Sequence, residues 1–114
     1  MKALTLLLLA SFSAALTAEE PQKHFGYFKV GKGQIGETCP ELKKGQQLTY
    51  SVKSNKLIKF NFHYHKGEEV TYPVEDHDTQ KIEKTFTADM DETYCLMWTG
   101  IENYTTVEVE YFIH

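Results

Sequence analysis

From Phe25 onward the chain is made of short runs in which apolar and polar residues alternate, and no stretch shows the i, i+3, i+4, i+7 apolar spacing of a buried helix face. A period of two belongs to strands with one buried face. The runs are FGYFKV (25–30), QLTYSVKS (47–54), LIKFNFHYH (57–65), EEVTYPV (68–74), KIEKTFTA (81–88), TYCLMWT (93–99) and YTTVEVEYFI (104–113). Between them lie KG, EDHD, ADMD and GIEN, which hold the Gly, Asp and Asn that turns use. Strands at this density predict an all-β fold, a two-sheet antiparallel β-sandwich or a related jelly roll. Pro73 interrupts the fourth run, and proline cannot donate to a ladder, so that strand is expected at a sheet edge, where a partner strand can be recruited.

The first residues, MKALTLLLLASFSAALTA, have one Lys, an apolar core and then small residues, the pattern of a secretory signal peptide. Cleavage is expected after Ala18, with Ala15 as the alternative, leaving one domain over 19–114. The apolar core is shorter than the roughly 20 residues a membrane span requires, so a secreted or periplasmic product without a membrane span is expected. The formal net charge of −4 becomes more negative once Lys2 is removed, and every basic residue is Lys. Arg is the side chain suited to bidentate phosphate recognition, so nucleic acid and anionic membrane surfaces are not expected partners. Cys39 and Cys95 are an even pair in an oxidising compartment and read first as a disulfide.

In LIKFNFHYH the alternation puts Ile58, Phe60, Phe62 and Tyr64 on the core face and Lys59, Asn61, His63 and His65 on the solvent face. In the next run Val70, Tyr72 and Val74 are expected inside. A two-residue Lys66-Gly67 turn would put the two core sets on opposite faces, because a slip of one residue flips every side chain. A loop with an odd number of residues around Gly67 is therefore expected, which in its three-residue form places His65 opposite Glu69 and His63 opposite Thr71. His63, His65 and Glu69 would then share an exposed face, and imidazole with carboxylate suits zinc, or copper with softer ligands. The plainer reading is a solvated strand face with no resident cofactor. A blue-copper site is excluded, since Leu96, Met97, Trp98 and Thr99 follow Cys95 without a histidine.

Glu37, Thr38, Cys39, Pro40, Glu41, Leu42, then LIKFNFHYHKGEEVTYPV, TFTADMDETYCLMW and the closing VEVEYFI together resemble the GOLD (Golgi dynamics) domain, the lumenal β-sandwich of vesicle cargo receptors, over about 37–113. The resemblance implies pairing of Cys39 with Cys95 and a non-catalytic binding module. Cargo receptors continue into a coiled coil, a membrane span and a cytosolic tail, whereas this sequence ends at His114; it looks more like the short secreted GOLD-like proteins of bacteria.

Catalysis is not expected. No nucleophile elbow appears, Glu68/Glu69, Glu75/Asp76 and Asp91/Glu92 are adjacent pairs of the kind strands and turns solvate, and GKGQIG lacks the Lys-Ser/Thr of a phosphate loop. The sequence thus predicts a secreted or periplasmic module that binds a protein or small ligand, with Tyr72, Pro73 and Trp98 as candidate contacts; the alternative is a periplasmic metal-handling protein using His63 and His65. Asn103-Tyr104-Thr105 is a glycosylation sequon, relevant in a eukaryotic source.

Overall fold

The computed structural model describes residues 22–114. The expected signal peptide and both cleavage positions lie outside the described residues. Seven strands follow in order: β1 (Lys23–Val30), β2 (Ile35–Thr38), β3 (Glu41–Leu42), β4 (Gln47–Lys66), β5 (Glu69–Thr87), β6 (Glu92–Gly100) and β7 (Thr105–Ile113). All pairings are antiparallel, in the order β1-β7-β4-β6-β2, with β3 added to β6 and β5 to the other side of β4, and the whole curls into a nearly barrel-shaped sheet. Among the described residues no helix is long and apolar enough to cross a membrane.

β4 organises the fold. Its first half, Leu48–Ser54, pairs with β7, and its second half, Ile58–Tyr64, pairs with β6, while β5 runs along its other side. The change of partner coincides with a register shift between Lys53 and Ile58. The sequence reading places a break here and another at EDHD, giving four short strands; instead Ser54–Leu57 form an irregular stretch within one 20-residue strand. EDHD pairs too, with His77 opposite Phe60 and Asp78 opposite Lys59. Polar composition marks EDHD as a turn, but its second half continues the ladder with β4, and Ser54 is paired with Val107 of β7 instead.

The inward positions of β4 keep one parity through the irregularity. Leu48, Tyr50, Val52, Ile58, Phe60 and Phe62 are all buried, as the alternation predicts, and they meet Tyr94, Leu96, Trp98, Val107 and Val109 from β6 and β7. Burying each large apolar side chain contributes about 1.5–3 kcal/mol. Trp98 is fully buried, tilted against Phe28 at 5.0 Å between ring centroids. Gly36 lies opposite it, and a Cβ there would collide with the indole. Trp98 therefore belongs to the core, and its expected role as a ligand contact is corrected.

The Cys39–Cys95 disulfide is present, closing a span of 56 residues and tying the end of β2 to the middle of β6. In the loop-entropy view such a closure stabilises by about 4 kcal/mol.

Candidate functional site

The hairpin between β4 and β5 departs from the expected odd loop. Lys66 pairs with Glu69 around the two-residue turn Gly67-Glu68, and Gly67 takes φ 65°, the left-handed conformation that a type II′ hairpin turn requires at its first central position. Facing residues in an antiparallel pair share a side, so Glu69 lies on the side of Lys66, and His65 faces Val70. The expected pairing of His65 with Glu69 is not formed. The parity problem is solved in β5 itself. Between the pairs Tyr64↔Thr71 and Phe62↔Val74, β4 has one residue, His63, where β5 has two, Tyr72 and Pro73. Between Phe62↔Val74 and Phe60↔His77, β4 has Asn61 where β5 has Glu75 and Asp76.

These are two successive β-bulges, and each inserts one extra residue, bends the strand and re-aims side chains. The first accepts Pro73 without loss, because a bulge residue is unpaired. The two-residue turn, by setting Val70 opposite His65, leaves Val70 and Tyr72 outward, 39% and 45% exposed, so their expected place in the core is corrected. Val74, beyond the first bulge, packs against the core as expected.

The bulges bring cover to the outward face of β4. Asn61 and His63, read as solvent-facing, are only 2% and 6% exposed. Asp76 from the second bulge accepts a hydrogen bond from Asn61 Nδ2 at 2.9 Å. Tyr72 from the first bulge packs on His63 with ring centroids 5.6 Å apart, and His65, which is exposed, meets His63 edge-on at 5.5 Å. On the other side, His63 is registered directly opposite Cys95 on β6. Glu37, on the outward face of β2, reaches over to place Oε2 at 3.5 Å from His63 Nε2.

This arrangement fixes the proton on His63. The Asp76 carboxylate can only accept, so the Asn61 amide presents its nitrogen there and its Oδ1 to His63, 2.7 Å from Nδ1. Nδ1 must then carry the hydrogen, and Nε2 of the neutral ring holds its lone pair toward Glu37. Burial lowers the His63 pKa below its usual 6.5, opposed by Glu37, reinforced by His65 and opposed again by Asp76. The neutral ring is thus favoured by desolvation, and it faces a carboxylate that also offers only lone pairs. Such a gap suits a shared proton or a cation.

Glu37, His63 and Cys95 have ligand-type atoms all within 4.8 Å of one another, the one such group among the described residues. Of the expected set His63, His65 and Glu69, only His63 belongs to it. Sequence reading missed Glu37, Asn61 and Asp76. A signal was present for two of them: Glu37 is two residues from Cys39, and Asn61 two from His63, the spacing that shares a strand face. Asp76 had none, because its position depends on the bulge. Tyr104 is a further unexpected feature, an aromatic at φ 61° and 88% exposed at the tip between β6 and β7.

No family model and no curated protein sequence matches the chain. Among solved structures it is similar to a solution NMR structure of a de novo designed double-stranded β-helix, with a TM-score of 0.41 and 9% identity, covering 82% of this chain and 99% of that one.

Proposed function

We propose that the chain is a secreted or periplasmic, non-catalytic binding module of GOLD-like β-sandwich type, which engages a protein or small ligand along β5. One observation carries this reading. β5 is 19 residues long, has β4 as its only partner strand among the described residues, and displays Val70 and Tyr72 beside Pro73 at its bulge. An unpaired edge offers a row of backbone donors and acceptors to an added strand, and exposed apolar side chains beside it supply selectivity. The disulfide is in keeping with an oxidising compartment. The GOLD-like reading itself stands on the sequence resemblance over 37–113.

The test is site-specific photo-crosslinking in the native secretions or periplasm, with the crosslinker at Tyr72 and, for comparison, at exposed Glu108 on β7. The reading expects one discrete adduct from Tyr72, abolished by Val70→Lys. Equal, diffuse labelling from both positions would refute it.

A second reading, metal handling, is favoured by the His63 Nε2 lone pair facing Glu37. Its centre moves from His63, His65 and Glu69 to His63 and Glu37. Calorimetric titration of the disulfide-bonded protein with Zn²⁺ should show binding that His63→Ala removes; no heat above dilution would dismiss it.

A further inference from the structure

We propose that Glu37, Cys39, His63 and Cys95 form a zinc-class cation site that the disulfide holds closed and that reduction opens. The inference shares His63 and Glu37 with the metal-handling reading but needs a state of the protein that reading does not invoke.

Four donors already converge. Three have their ligand-type atoms within 4.8 Å of one another, and the fourth, Cys39, is bonded to one of them. Two thiolates, an imidazole and a carboxylate are a ligand set that zinc accepts. Metal–ligand distances of about 2.0–2.3 Å in a tetrahedron put neighbouring donors roughly 3.3–3.8 Å apart. The 3.5 Å between His63 Nε2 and Glu37 Oε2 falls in that interval. Cys95 faces His63 across the β4–β6 ladder, so its sulfur needs only a small approach.

The imidazole is also held as a ligand should be. A metal-binding histidine usually donates its second ring N–H to a carbonyl or carboxylate, which fixes the tautomer. Asn61 Oδ1 accepts that hydrogen from Nδ1, and Asp76 orients Asn61 in turn. His63 is 6% exposed with Tyr72 packed on its ring, and its Nε2 lone pair is turned toward Glu37.

Access to the closed state is built in as well. Cys39 is exposed, whereas Cys95 is buried, so an attacking thiolate meets the bond at Cys39. A dithiol reductant supplies two electrons and two protons: the Cys39–Cys95 bond breaks, both cysteines become thiols, and the reductant closes to its own disulfide. Binding of Zn²⁺ then displaces the two thiol protons to solvent and leaves two zinc-bound thiolates. A disulfide oxidant reverses this: it takes the two electrons and two solvent protons to become two thiols, the Cys39–Cys95 bond re-forms, and Zn²⁺ is released. In the disulfide-bonded state neither sulfur is a thiolate, and only His63 and Glu37 remain as donors.

The experiment compares the mature protein with its disulfide intact and after reduction by a phosphine under anaerobic conditions, titrating each with Co²⁺ and then displacing with Zn²⁺. The reduced protein is expected to bind one equivalent with thiolate-to-cobalt charge transfer and tetrahedral ligand-field bands, both lost on adding Zn²⁺. The intact protein should show no thiolate band. In the reduced protein His63→Ala should weaken binding at least tenfold, and Asn61→Ala roughly 10–100-fold with the thiolate band kept. If the reduced chain unfolds, Zn²⁺ should restore its far-UV strand signal in the wild type but not in His63→Ala, since metal binding is coupled to folding. No thiolate band, no zinc-dependent refolding, or equal affinity in His63→Ala would overturn the proposal. Zn²⁺ bound equally by the intact and reduced proteins would also overturn it while leaving the simpler metal-handling reading in place.

Discussion

Asn61 Oδ1 stands 2.7 Å from His63 Nδ1 on the outward side of β4, and both residues are buried there although they alternate with core residues on the other side. A strand with two buried faces usually carries apolar residues on both. Here the outward pair is polar, covered by two β-bulges and satisfied by hydrogen bonds, which is the arrangement a buried polar network requires.

The Asn61 amide is expected to hold this network together. Asn61→Ala leaves the His63 Nδ1–H without its acceptor, and an unsatisfied buried group costs about 1–3 kcal/mol. Urea denaturation should show a loss in that range with an unchanged m-value. Asp76→Ala should cost less, because Asp76 is exposed and water can replace it.

The lowered His63 pKa gives the metal-free protein a specific pH dependence. The unfolded chain takes up a proton on this ring below about 6.5, before the folded protein does, so its stabilising contribution is complete above that pH and is lost as pH falls toward the folded value. Subtracting the stability curve of His63→Gln from that of the wild type isolates this term from the carboxylates. The difference should decline on acidification through the region just below 6.5; a difference that grows there would reverse the assignment.

Tyr50 presents the opposite case, a buried polar atom without compensation. Its hydroxyl has no hydrogen-bond partner among the described residues, and burial pushes its pKa up to about 12. Tyr50→Phe keeps the ring packed on Phe60 and Phe62 and removes the hydroxyl, so a gain of about 1 kcal/mol is expected. The folded protein keeps the phenol proton between pH 10 and about 12 while the unfolded chain releases it, so wild-type stability should fall on alkalinisation in that window. That share of the fall should be missing in the variant. Thermal melts at neutral and alkaline pH read both effects.

Gly36 sets how closely β2 lies over Trp98. Gly36→Ala puts a methyl into the indole, and overpacking of this kind costs about 1–3 kcal/mol. The displacement would also move Glu37, the next residue, away from His63. Denaturation should register the first effect, and a change in the His63 titration followed by NMR the second.

The sequence discloses the inward half of this structure well and the outward half poorly. Leu48, Tyr50, Val52, Ile58, Phe60 and Phe62 are inside because alternation is a local property that survives any pairing of the strands. The burial of Asn61 and His63 is not local. It depends on where β5 spends its two extra residues, and nothing in TYPVED distinguishes a bulge from a shorter strand followed by a turn. The hairpin shows the same limit: parity requires an extra residue somewhere, which alternation alone assigns to the loop around Gly67, whereas the chain inserts it at Tyr72-Pro73. Cys39 and Cys95 were legible as a pair, but their position beside His63 follows from the β4–β6 register, which no sequence pattern fixes.

The most direct test of the account is a long-range ¹H–¹⁵N correlation spectrum of the histidine rings in the metal-free, disulfide-bonded protein near neutral pH. The account predicts that His63 is neutral, with its hydrogen on Nδ1 and a pyridine-like Nε2. A His63 ring with its hydrogen on Nε2, or one averaging between tautomers, would contradict the network on which the site is built.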